Sequence, residues 1–150
     1  MPLIEMLFDS SRESLRRQWL EAWHKARNGA LLSPLESQLV SVLEEHPEYH
    51  AWLEQGESVL HRERSEEHGG TNPFLHLSMH LALREQVATN RPGGITELHA
   101  RLAARSSRHE AEHAMMEALG QALWESQRAG VAPDEQRYLD SLRRLIPPRA

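Results

Sequence analysis

A run of strong helix formers over residues 108–119 constrains the fold of this chain more than any other feature. The run is rich in Ala, Glu, Met and Leu, and neither Pro nor Gly interrupts it before Gly120, so it predicts the interior of a helix. His109 and His113 stand four residues apart within it, and Glu117 follows after four more. This spacing places all three side chains on one helix face at successive turns, where one metal ion could contact two of them.

Two other segments repeat the same spacing. His76 and His80 form a second pair, and His50 and Glu54 form a third. The chain has 10 His against 1 Lys, and His is the commonest metal ligand among side chains. Because helical bundles build metal sites from side chains on facing helices, the sequence predicts a metal site with these candidate ligands: His50, Glu54, His76, His80, His109, His113 and Glu117.

Three further residues stay open as participants in that site. His24 lies beside a stripe of Trp residues in the first predicted helix, and His46 is either a ligand or the residue that ends a helix before Pro47. Glu110 flanks the core stripe of its helix, where it is a candidate acceptor for an imidazole N–H.

The absence of Cys restricts the chemistry of any such site. Without Cys there are no disulfides, thiolate-zinc sites or iron–sulfur clusters. A chain of 150 residues is long enough to bury a core as one domain, residues 1–150, without needing a metal to stabilise the fold. A metal would therefore be functional, and imidazoles with carboxylates suit one or two transition-metal ions, iron or zinc above all.

Charge and hydropathy exclude several classes of protein. The formal net charge of -5 and the pI of about 6.0 argue against a surface built for nucleic acid. Arg101, Arg105 and Arg108 share one helix face, which we interpret as a solvated face. No apolar run has the length of a membrane span, and no signal peptide is evident, so we expect a cytoplasmic protein.

Helical periodicity and stop signals predict an all-α fold. Its simplest form is a bundle of four main helices with a kinked second helix and a short extra helix at the C-terminus. Ser33 and Glu36 form a capping-box pattern, and Pro47 must interrupt the helix that they begin. The predicted helices cover about 10–28, 33–62 with the kink, 72–89, 96–128, and a last segment that starts near 134.

The order of the ligand pairs resembles hemerythrin-type di-iron bundles. Those bundles use a His on helix one, His-x3-Glu on helix two, His-x3-His on helix three, and His with Asp on helix four. The resemblance implies iron ligands and oxygen-related chemistry, with one of His109 or His113 added to this set: His24, His50, Glu54, His76 and His80. The sequence departs from the pattern because Glu117 stands in place of the Asp and because Pro47 interrupts helix two.

A second resemblance covers nearly the whole chain. Residues 46–50, 72–80, 91–95 and 109–128 resemble a bacterial family of similar size that is known only as a domain of unknown function. This resemblance supports a single domain, and it implies no activity.

Two functions remain open at this point. The first is a metal-binding bundle with a redox, oxygen-related, or metal-dependent hydrolytic or transfer role, which would bind dioxygen or a small molecule. The second is a non-enzymatic interaction protein with a structural His-rich core, which would bind a protein partner or form a homodimer. Chance explains any single His pair, but burying several imidazoles without partners costs on the order of 1–3 kcal/mol each.

Overall fold

The computed structural model describes residues 12–60 and 73–147. Within these ranges the chain forms seven α-helices and no β-strand, which confirms the predicted all-α class. We label the helices α1 to α7 in this order: Arg12–Arg27, Pro34–Glu44, His50–Leu53, Pro73–Thr89, Ile95–Ala103, Arg108–Ala129 and Glu135–Arg143.

The chain divides into two compact units, Met1–Leu81 and Ala82–Ala150. The boundary lies inside α4, so the first part of that helix belongs to the first unit and the rest to the second. The prediction of one domain over 1–150 and the packing of four main helices into a bundle both stay predictions.

Two indole rings form the centre of the first unit. Trp19 and Trp52 are almost completely buried, and α1 packs against α2. The centroids of the Trp52 and Phe74 rings lie 4.8 Å apart, and Trp19 Nε1 donates a hydrogen bond to Ser78 Oγ at 3.2 Å. Because Phe74 and Ser78 both lie on α4, these contacts anchor the first turns of α4 in the core of the unit.

The start of α2 follows the predicted capping box. Ser33 Oγ accepts a hydrogen bond from the backbone N–H of Glu36 at 3.1 Å, and Glu36 Oε1 accepts one from the backbone N–H of Ser33 at 2.9 Å. These two bonds satisfy donors that the first turn of a helix leaves unpaired. The first helix ends at Arg27, one residue before the predicted end at about 28, and the predicted end of α4 at Thr89 is confirmed. The predicted starts at Ser10 and Asn72 lie outside the described residues.

The end of α2 differs from the predicted kink. The helix stops at Glu44, and a 3-10 turn over Pro47–Tyr49, the four-residue α3 and a second 3-10 turn over Gly56–Val59 follow. Pro47 has no N–H for the preceding turn and pushes His46 out of helical geometry. The structure therefore has a break at Pro47, and the segment after it consists of short pieces.

The prediction of one helix over 96–128 is wrong. The structure has two helices, α5 and α6, which are separated by residues 104–107. Ser107 is extended, with φ -155° and ψ 167°, and its Oγ accepts a hydrogen bond from the backbone N–H of Glu110 at 3.1 Å. A Ser that caps a new helix in this way ends the previous one. The predicted stop at Gly130 is confirmed, since this residue takes a φ of 69° that favours glycine.

The core of the second unit lies where α6 packs against α5 and α7. Its largest fully buried side chains are Leu83, Ile95, Met115, Leu119 and Leu142. Tyr138 on α7 donates its hydroxyl to Gln86 Oε1 on α4 at 2.8 Å. Burial raises the pKa of Tyr138, so the phenol stays protonated and remains a donor.

Candidate metal site

The break after α2 fixes the orientation of His46. His46 is completely buried, and its Nδ1 lies 2.8 Å from the carbonyl oxygen of Val42 in the last turn of α2. Because a carbonyl oxygen only accepts hydrogen bonds, Nδ1 carries the ring proton. The Nε2 of a neutral His46 therefore presents its lone pair on the opposite side of the ring.

Two histidines of α4 face that lone pair. His46 Nε2 lies 3.0 Å from His80 Nε2, and His80 is also completely buried. The half-buried His76 completes the group, with its ring centroid 5.1 Å from that of His46 and 5.0 Å from that of His80. Each of the three rings offers a nitrogen, and these nitrogens lie within 4.8 Å of one another. We refer to His46, His76 and His80 as the histidine cluster.

The contact between His46 and His80 has the spacing of two ligands on one metal ion. Metal–imidazole bonds of about 2.0–2.1 Å place neighbouring nitrogens about 3.3 Å apart in tetrahedral geometry and about 2.9 Å apart in octahedral geometry. The observed 3.0 Å falls within this range. The hydrogen bond from His46 Nδ1 to a backbone carbonyl is the second feature that metal-binding imidazoles share. The histidine cluster could therefore bind a metal ion.

Tyr49 forms an aromatic wall beside the cluster. Its ring is parallel to that of His46, with 5.6 Å between centroids, and meets the edge of His76 at 5.9 Å. Burial, together with the negative charge of Glu48, raises the pKa of Tyr49, so this wall is neutral. Within the described part of the chain the group of ligand atoms includes no carboxylate, and neutral imidazoles favour late transition metals over Mg²⁺ or Ca²⁺.

His50 and Glu54 lie outside the cluster and have different partners. His50 Nε2 lies 2.8 Å from the carbonyl oxygen of Leu43, and its ring lies 4.4 Å from that of Trp23. The exposed carboxylate of Glu54 forms an ion pair with Arg27 at 3.4 Å. In the structure, His50 covers a carbonyl at the end of α2. The pair that the hemerythrin pattern would use together is thus divided, and the resemblance to those bundles stays a prediction.

His109 and His113 contact each other on α6. Their ring centroids lie 4.2 Å apart, with the rings nearly edge to face. His109 is half-buried and His113 is exposed, while Glu117, one turn farther along, is exposed as well. The exposed Glu110 lies in the first turn of α6, and the exposed His24 lies on α1. The two imidazoles thus share one face of α6, as their spacing indicated, and their role as metal ligands stays a prediction.

The second unit contains a buried ion pair that the sequence analysis missed. Arg84 Nε lies 2.7 Å from Glu112 Oε1 and 3.2 Å from Oε2, so it donates to both oxygens of the carboxylate. The Glu112 side chain is 1% exposed and that of Arg84 is 17% exposed. Short-range sequence patterns cannot predict this contact, because 28 residues separate the two partners.

The predicted solvated face of the arginine stripe is confirmed, since Arg101, Arg105 and Arg108 are all exposed. Among the described residues, no helix combines the length and the apolar character that crossing a membrane requires.

Comparison with known proteins identifies one family. Its model matches residues 11–144 and is described as a domain of unknown function (DUF1841). This match confirms the second resemblance seen in the sequence. Neither a curated protein nor a solved structure matches the chain.

Proposed function

Because the chain belongs to the DUF1841 family, whose function is unknown, we propose a function from the chemistry of the histidine cluster. The protein binds one transition-metal ion, and His46, His76 and His80 are ligands. The observation that carries this proposal is the 3.0 Å contact between two buried Nε2 atoms, one of which belongs to a ring that is anchored through its other nitrogen.

The other candidate ligands lie outside this set. His50 and Glu54 already have partners elsewhere. His109 and His113 contact each other on α6, and Glu117 is exposed one turn farther along the same helix.

The ligand set favours a single ion. Di-iron centres depend on carboxylates that bridge or balance the two charges, and the histidine cluster brings none among the described residues. Three neutral imidazoles suit zinc, and imidazole also binds iron, copper and nickel. Zinc is therefore the first ion to test, with iron as the second.

The number of protein ligands determines the chemistry that the ion supports. If three imidazoles bind it, the fourth position is open, and a zinc ion there would lower the pKa of a bound water for hydrolysis or group transfer. If a fourth protein ligand closes the coordination shell, the ion has a structural or sensing role. An iron ion with an open position would favour oxygen-related chemistry.

The test is the metal content of protein purified without an affinity tag and then loaded with Zn²⁺ or Fe²⁺. We expect about one ion per chain in the wild type. His80→Ala should lose it, because the variant lacks a buried ligand. His50→Ala is the matched control, since His50 also contacts a carbonyl at the end of α2 but lies outside the cluster.

Each variant has a defined consequence for the proposal. A wild type that binds neither ion after loading would make the alternative, a structural His-rich core in an interaction protein, the leading function. Loss of metal in His50→Ala but not in His80→Ala would show that the ligands are misassigned.

A further inference from the structure

The ring of Tyr49 contacts two of the three imidazoles in the histidine cluster, and all of these residues belong to the first unit. The ring is parallel to that of His46, with an interplanar angle of 3° and 5.6 Å between centroids. It meets the ring of His76 nearly at a right angle, with an interplanar angle of 77° and 5.9 Å between centroids. Because the two imidazoles also lie edge to face, 5.1 Å apart, each of the three rings contacts the other two.

The local backbone explains why the ring of Tyr49 lies over that of His46. A 3-10 turn covers Pro47–Tyr49, and the backbone N–H of Tyr49 donates a hydrogen bond to the backbone carbonyl of His46 at 3.0 Å. Side chains three residues apart in such a turn lie almost directly over one another. The break at Pro47 therefore produces the stack of the two rings within one short turn.

These contacts limit the motion of both imidazoles. A hydrogen bond through Nδ1 fixes one atom of the His46 ring, and the stacked phenol limits how far the ring plane can tilt about that atom. His46 and His80 are completely buried, whereas His76 is half-buried, so part of its ring faces water. The buried ring of Tyr49 gives His76 a fixed surface to pack against. Groups that fix the orientation of a ligand ring are an essential part of a metal site.

We propose that Tyr49 is a positioning residue for the metal site. Its aromatic ring holds His46 and His76 in orientations that direct their nitrogens at one ion, and its hydroxyl is not needed for this role. The inference rests on the proposed function, and it predicts that the ring of Tyr49 controls metal affinity beyond any effect on folding.

The test measures zinc affinity by competition with a chromophoric chelator. Tyr49→Leu removes the flat ring and keeps an apolar side chain, and we expect zinc to bind roughly 10–100-fold more weakly, as is typical when partners of metal ligands are changed. Tyr49→Phe keeps the ring and should bind zinc like the wild type. Trp23→Leu is the matched control, because it removes a buried aromatic ring that packs on His50, an imidazole of the same unit outside the cluster. The control should also bind zinc like the wild type.

Two further measurements separate positioning from folding. Cobalt(II) replaces zinc as a spectroscopic probe, because its visible absorption bands report ligand geometry. Tyr49→Leu should change these bands, whereas Tyr49→Phe and Trp23→Leu should not. Cooperative urea unfolding of the metal-free variants shows which of them are folded. If Tyr49→Leu does not fold, Tyr49→Met takes its place, because the flexible Met side chain fills irregular gaps in a core.

The outcomes separate this inference from the proposed function. A folded variant without the Tyr49 ring that keeps the zinc affinity and cobalt spectrum of the wild type would overturn the positioning role while metal binding stands. Equal weakening in Tyr49→Phe would also overturn it, because the hydroxyl and not the ring would then matter. Equal weakening in Trp23→Leu would assign the loss to general destabilisation.

Two results remain. A wild type without zinc or cobalt binding would overturn both the positioning role and the proposed function. Weaker zinc binding and an altered cobalt spectrum in folded Tyr49→Leu, with Tyr49→Phe and Trp23→Leu unchanged, would support the positioning role.

Discussion

Each of the two units buries a polar group, but the two groups are completed in different ways. In the second unit, the positive charge of Arg84 neutralises the negative charge of Glu112, and Arg84 Nε lies 2.7 Å from Glu112 Oε1. In the first unit, neutral imidazoles meet through two ring nitrogens, those of His46 and His80, at 3.0 Å. The ion pair is complete within the protein, whereas the contact between two nitrogens needs a shared proton or a metal ion between them.

Because of this difference, the two imidazoles should respond to added metal or chelator, whereas the ion pair should respond to the loss of a charge. A metal ion can replace the proton between His46 and His80, because each Nε2 then donates its lone pair to the ion. Added metal or chelator should therefore act on the first unit. The ion pair has no vacant coordination position, and it is sensitive to the loss of either charge.

The largest expected effect is that of Arg84→Met. The variant removes the guanidinium from a carboxylate that is 1% exposed, and breaking a buried pair in this way costs roughly 3–5 kcal/mol. We expect a loss of that size in the free energy of unfolding of the metal-free protein, measured by urea denaturation. A loss below about 1 kcal/mol, the range of surface pairs, would contradict the buried character of the pair.

The fold shows how far local sequence signals extend. The all-α class and the helix ends at Gly130 and Ser33 followed from capping residues and helix stops, which act within a few residues. The break at residues 104–107 was missed because the helix formers on both sides suggested one continuous helix. The Ser107 and Glu110 spacing was the available signal, since Ser followed three residues later by Glu marks a helix start.

The candidate site shows what such local signals cannot predict. His76 and His80 followed from their spacing on one helix face, which the structure preserves. His46 and His50 have the same spacing, but the break at Pro47 turns them toward different partners. The sequence indicates that the helix is interrupted there, but not the direction in which each ring then points.

His46→Phe gives a smaller expected effect and tests the imidazole contact of the first unit. The ring volume is largely kept, and the Val42 carbonyl still accepts a hydrogen bond from the backbone N–H of Glu45. In the metal-free protein we expect a loss of about 1–2 kcal/mol, the scale of one or two neutral hydrogen bonds. Urea denaturation in the presence of chelator measures it.

Added zinc should separate the wild type from His46→Phe more clearly. A ligand at about 100 times its dissociation constant stabilises the folded protein by about 2.7 kcal/mol. Zinc at this level should therefore stabilise the wild type and leave His46→Phe unchanged. Equal stabilisation of both proteins by zinc would show that the ion binds away from the histidine cluster.

The smallest expected effect is a change in the titration of His99 on α5. Burial lowers the pKa of His99, the negative charge of Glu112 raises it, and the positive charges of Arg108 and Arg84 lower it further. His99 therefore reports the two charges of the ion pair separately. Glu112→Gln should lower the pKa of His99 further, and Arg84→Met should raise it, as measured by NMR titration of the ring protons in metal-free protein.

The direction of the shift also determines how His99 affects stability. Because its pKa is lower in the folded than in the unfolded chain, the unfolded chain binds more protons as the pH falls. The stabilisation from a neutral His99 is present above the unfolded pKa of about 6.5 and is lost as the pH falls toward the folded pKa. Glu112→Gln should extend this loss to lower pH. An identical His99 titration in both variants would show that the carboxylate and the guanidinium do not act on this ring, and the ion pair would then have no influence on α5.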